Sequence, residues 1–207
     1  MRDKLRAVVL GSVLLGWSVA TPRISPQWHP IPHAVFGALL SVMARASLGL
    51  RPPTLWAGLR CGAAAAVPVL ITVAAATAIP RVREGMARRE VPVPAGRWLL
   101  LGIPIGTVWM EEASYRAALG TVAERAFGAA GGRLFAAAAF GVSHVPDARA
   151  TGESVTGTVL VTGVAGWIFG WLYAKSGSLA APMLVHLAVN EAGAVAALAV
   201  QRRELTG

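Results

Sequence analysis

Charge is scarce in this chain, and acidic charge scarcest. Of 207 residues only 14% are Asp, Glu, Lys or Arg, and the 10 acidic side chains face 19 basic ones. Soluble domains carry about a quarter charged residues, so the composition argues against a water-soluble enzyme. The one cysteine, Cys61, excludes an internal disulfide and a cysteine-based metal site. There is no glycine-rich phosphate loop, no internal repeat and no low-complexity tail. What is abundant is apolar: 55% of the residues are hydrophobic. They come in runs of about 20, rich in Ala and Gly, each long enough to cross hydrocarbon about 30 Å thick. The net charge of +9 does not point to nucleic acid, because nearly all Lys and Arg sit in short connectors between the apolar runs, with no basic face on a soluble domain.

The expected fold is therefore all-α, a polytopic membrane bundle of about seven to eight transmembrane helices. Spans are expected near Leu5–Ala20, Ile31–Leu50, Leu55–Ile79, Trp98–Leu119, Arg133–Val145, Val155–Ala174 and Leu179–Val200. The second contains Arg45, and the third is long enough to tilt or break at Pro68. Met1–Arg6 followed by an apolar run has the outline of a signal peptide, with Ser18-Val19-Ala20 as a cleavage site. It is read here as an uncleaved first helix, since every later run also stays in the membrane. Between the third and fourth runs, Pro80–Arg97 holds Arg81, Arg83, Arg88, Arg89 and Arg97 with Pro92 and Pro94, and reads as an exposed linker. It divides an N-terminal helix set (1–97) from a C-terminal set (98–207). The positive-inside rule places this linker in the cytoplasm, yet seven simple crossings put it opposite the basic N-terminus. A re-entrant segment among the first three spans would reconcile the two. Trp17, Trp28, Trp56 and Trp98 lie near span ends, as interfacial anchors do.

Inside the fourth run stand Glu111, Glu112 and Arg116. Ionisable groups at membrane depth face the bundle interior or water and commonly mark function. Glu112 and Arg116, at i, i+4, form a structural ion pair. Glu111 is left over, about 100° around the helix and without a local partner, the setting of a general base. The fifth run ends in Phe140-Gly141-Val142-Ser143-His144, and the seventh holds His186 and Asn190, again one turn apart. By helix rise Glu111 lies about 20 Å beyond Trp98, and His144 and His186 lie about 10–18 Å below the same far face. The polar groups of three helices can thus meet in one layer, which favours a site over independent packing contacts.

EExxxR, FxxxH and HxxxN, in that order on successive apolar spans, resemble the pattern of the CAAX-protease and bacteriocin-processing (CPBP, or Abi) family, which includes the eukaryotic CAAX prenyl endopeptidases. The resemblance covers roughly residues 98–200. It implies an intramembrane endopeptidase of the cell membrane acting on a peptide or membrane-protein substrate, with Glu111 as catalytic carboxylate and His144 as its partner in activating water. His186 and Asn190 would stabilise the oxyanion, and Glu112, Arg116 and Phe140 would support them. The chemistry of the residues agrees, since a Glu/His-activated water can attack while an imidazole and a carboxamide donate. Ser114 and Ser143 flank the motifs but sit in no nucleophile-elbow sequence. No cofactor is expected; the alternative is zinc on Glu111, His144 and His186, against which stands Asn190, a poor zinc ligand.

Two other functions compete: a catalytically idle scaffold, immunity or assembly protein of the same fold, and a proton-coupled transporter using Glu111, His144 and Glu191. No inverted repeat supports the latter. Glu191 is read as a supporting partner of His186 or Arg116, or as facing a watery entrance. His29 and His33, with Pro30 and Pro32 between and beside them, are read as loop residues rather than a metal site. A composition rich in Ala, Arg, Gly and Val suggests a GC-rich bacterial source. The substrate stays open among peptide maturation, bacteriocin self-immunity and regulated membrane proteolysis.

Overall fold

The structure, a computed structural model, describes residues 1–24 and 29–206, with side chains through Glu204. Trp28, one of the expected anchors, lies outside the described residues. Among them every regular element is a helix, and there is no strand. The elements are α1 (Arg2–Ala20), α2 (Pro30–Met43), α3 (Thr54–Ala76), α4 (Pro80–Arg88), α5 (95–119), α6 (Gly120–Ser143), α7 (Val145–Thr151), α8 (Val155–Ser176) and α9 (Ala180–Thr206). Ser154 caps α8 by accepting from the Gly157 amide, and left-handed Gly152 and Gly177 end α7 and α8.

Five segments are long and apolar enough to cross a membrane, so the expected seven to eight are not reached by that measure. The difference has two sources. The expected fourth and fifth spans belong to one helical segment, Ala95–Thr151, of 57 residues. As a straight rod it would be about 85 Å long, far more than a bilayer core. It instead reverses at Gly128, whose φ of 75° only glycine adopts freely. The second expected span is cut to the 14 residues of α2, about 21 Å, and the chain turns away at Arg45, which has positive φ. Pro68 does not break α3.

Pro30 and Pro32 do not exclude a helix, contrary to the expectation from sequence. Pro30 occupies the first position of α2 with His29 as its cap, and in the first turn the missing N–H would have had no partner. Pro80 starts α4 in the same way, so the basic linker is part helix. It is held to the bundle where the Gln201 carboxamide donates to the carbonyls of Met86 and Arg89.

The bundle is apolar outside as well as inside. Leu39, Val42, Leu134, Leu160 and Val161 are all more than half exposed, a surface suited to lipid rather than water. Helices approach through small residues, as they do in membranes. A Cβ on Gly62 of α3 would lie 2.7 Å from the Ala181 carbonyl oxygen of α9, and one on Gly141 of α6 would lie 2.6 Å from the Val159 carbonyl oxygen of α8. Leu14, Leu40, Tyr115, Leu119 and Phe140 form a core joining α1, α2, α5 and α6. Glu112, Ser114 and Arg116 are buried beside it. The core thus encloses charge, and the site is built around that charge.

Candidate active site

The two-carboxylate motif lies on an unusually wide helix. Residues Trp98–Trp109 and Glu112–Leu119 are π-helical, with i to i+5 hydrogen bonding, and Met110 and Glu111 form an α-helical junction between them. Pro104 lies inside the first stretch, where its ring would collide with an i−4 carbonyl in a regular α-helix; the wider turn gives it room. Such departures are rare and concentrate at functional sites.

A consequence is that Glu111 and Glu112, expected to point well apart, meet one imidazole. His186 Nδ1–H donates to Glu112 Oε1 at 2.7 Å, and His186 Nε2 is 3.7 Å from Glu111 Oε2. Glu111 is therefore not without a neighbour, as the α-helical wheel suggested. Glu112 is fully buried and also forms an ion pair with Arg116 Nε at 3.1 Å, off the line of a good hydrogen bond. The guanidinium lies 3.9 Å from the centre of the Phe140 ring and 5.0 Å from that of Phe169, so aromatic faces stabilise what carboxylates alone do not. His186 in turn stacks on Phe169. Neither His186 nor Arg116 turns to Glu191; both take Glu112.

His144 sits at the end of α6, where its Nδ1 is 2.8 Å from the Phe140 carbonyl oxygen. A carbonyl only accepts, so Nδ1 carries the proton and Nε2 keeps its lone pair. The Phe140 ring packs edge-on against the same imidazole. Glu111, His144, His186 and Asn190 all line one cavity of about 390 Å³. Glu111 Oε2 is buried and hydrogen-bonded to nothing. Among the described residues no three of His, Cys, Asp and Glu are grouped as metal ligands. His186 Nδ1 is held by Glu112 and His144 Nδ1 by a carbonyl, which leaves Nε2 of each ring free, as in histidines that activate water and also in those that ligate metals.

The other wall of this cavity comes from Trp17 at the end of α1 and from His29 and His33 at the start of α2. These were missed in the sequence as site residues. The i, i+4 spacing of the two histidines was the available signal, and the prolines obscured it. Their rings stack at 3.8 Å, and His33 Nδ1–H donates to the His29 carbonyl. Trp17 stacks on Phe36 and lines the cavity, a different setting from the lipid interface expected for it.

Residues 93–192 match the family model described as type II CAAX prenyl endopeptidase Rce1-like. This segment of the chain, 100 of its 207 residues, is similar to the CAAX-protease family. No curated protein and no solved structure matches it. Every residue of the three motifs lies within the matched segment, whereas α1, α2, α3 and α4, including the Trp17, His29 and His33 wall, lie outside it.

Proposed function

We propose that the protein is an intramembrane endopeptidase in which Glu111 and His144 activate water and His186 and Asn190 stabilise the oxyanion. The observation that carries this reading is the buried, unbonded Glu111 Oε2 at a cavity shared with the other three side chains. In this reading residues 98–207 carry the chemistry, and residues 1–97 supply spans and one cavity wall.

Water enters between Glu111 and His144. His144 Nε2, free because Nδ1–H is held by the Phe140 carbonyl, accepts one hydrogen bond from it and orients it. The Glu111 carboxylate takes the other proton as the water oxygen bonds to the scissile carbonyl carbon. Negative charge then develops on the carbonyl oxygen, where the Asn190 carboxamide donates. His186 already donates from Nδ1 to Glu112, so it can also donate from Nε2 only as an imidazolium. Glu112 and Glu111 flank the ring and offset that charge. Collapse breaks the C–N bond, and the proton on Glu111 passes to the leaving amine, which regenerates the carboxylate. Glu112 and Arg116 hold His186 in place and take no part in the proton transfers.

The test is cleavage of a library of hydrophobic peptides, including prenylated ones, by the purified protein, read by mass spectrometry. Wild type is expected to cleave, with Glu111→Ala and His144→Ala each reduced by about 10²- to 10⁴-fold and a chelator without effect. Chelator sensitivity would replace the glutamate mechanism with a metal one. Well-folded wild type that cleaves nothing would favour the idle scaffold.

A further inference from the structure

The turn on which both carboxylates meet one histidine is braced from outside the segment that matches the family model. Three residues on one face of α2, at spacings of three and four, contact the motif helix on either side of the carboxylates. The Trp109 indole N–H donates to the Ala34 carbonyl at 3.1 Å. Gly37 lies against the backbone itself, since a Cβ there would sit 3.2 Å from Met110 Cα, Met110 O and Ala113 Cβ. Ser41, 2% exposed, places its hydroxyl 3.0 Å from the Ala113 carbonyl oxygen and 2.9 Å from the Gly37 carbonyl oxygen of its own helix.

The hydroxyl has one proton for two carbonyls. A serine within a helix commonly bonds back to the i−4 carbonyl, and that bond alone would satisfy Ser41. The bond to Ala113 is the additional one, and it falls on the first π-helical turn after Glu111 and Glu112. A regular α-helix would set the two carboxylates about 100° apart, further than the wider turn does.

We propose that Ser41 is a positioning residue: its hydroxyl, bonded across to the Ala113 carbonyl, holds the wide turn on which Glu111 and Glu112 reach His186 together. The role rests on the peptidase reading for its catalytic consequence, while the hydrogen bond itself is testable without activity.

The chain has two Ala-Ser dipeptides, Ala46-Ser47 and Ala113-Ser114. Labelling alanine with carbonyl ¹³C and serine with ¹⁵N therefore gives two correlated signals in detergent-solubilised protein. In Ser41→Ala the Ala113 carbonyl signal should move upfield, and kcat for peptide cleavage should fall by about 10- to 100-fold with KM unchanged. Ser41→Thr, which keeps the hydroxyl, should restore both. An unmoved Ala113 signal overturns the brace. A moved signal with unchanged kcat, or a KM effect alone, overturns the positioning role while leaving the peptidase reading intact. If wild type cleaves no peptide the peptidase reading fails, and the catalytic part of this proposal falls with it.

Discussion

Glu111 and Glu112 are adjacent in sequence and occupy opposite environments. Glu112 is sealed, with no exposed side-chain surface, and is held by Arg116 and His186 under two aromatic rings. Glu111 borders a cavity and has an oxygen with no hydrogen bond. A buried charge without partners is costly, whereas a carboxylate beside a cavity can be served by water. One acid thus holds the histidine and the other is left open to the cavity. The difference arises from the neighbours on α6, α8 and α9, since the residue type is the same.

The largest effect expected is on stability at the sealed side. Arg116→Ala strands the Glu112 charge and empties the space between Phe140 and Phe169, and should cost about 3–5 kcal/mol, the range for breaking a buried pair. Glu111→Ala removes a group with no salt bridge to a permanent cation and should leave the unfolding midpoint in detergent close to wild type. Equal midpoints for Arg116→Ala and Glu111→Ala would erase the distinction between the two carboxylates. The same comparison extends to α9. Asn190 lines the cavity, and its neighbour Glu191 does not. Asn190→Ala should lower kcat by about 10²- to 10³-fold, as removal of an oxyanion donor does, and Glu191→Gln should leave kcat unchanged. A comparable loss in both would move Glu191 into the mechanism.

Which parts of this were legible follows from what a helical period encodes. Glu112 with Arg116, Phe140 with His144, and His186 with Asn190 each lie one turn apart on apolar helices, so each pair could be read from spacing alone. The approach of both carboxylates to His186 could not, because a π-helical turn has no hydrophobic period of its own. Pro104 between Gly102 and Gly106 was its only trace. The reversal at Gly128 was hidden in an Ala- and Gly-rich stretch. It placed the expected fourth and fifth spans as arms of one folded segment. The cavity wall formed by Trp17, His29 and His33 is tertiary, produced by packing α1 and α2 on the motif helices, and Pro30 and Pro32 suggested a loop where they begin a helix.

The smallest effect tests how closely α6 must approach α8 to present His144. Gly141 lies one turn before that histidine, and an added Cβ would come within 2.6 Å of the Val159 carbonyl oxygen and 3.2 Å of Gly163 Cα. These are backbone atoms that cannot rotate away, so Gly141→Ala must separate the two helices. Overpacking of this kind costs about 1–3 kcal/mol, and because the separation falls next to His144 it should also reduce cleavage. Gly193 provides the control: it is a helical glycine of α9 with nothing within 4 Å of an added Cβ. Gly193→Ala should therefore raise stability by up to about 1 kcal/mol through helix propensity and leave cleavage unaltered. Thermal unfolding of both variants in one detergent separates the two effects. If Gly141→Ala matched Gly193→Ala, the α6–α8 contact would be looser than the structure has it, and the position of His144 would depend on its hydrogen bond to the Phe140 carbonyl rather than on helix packing.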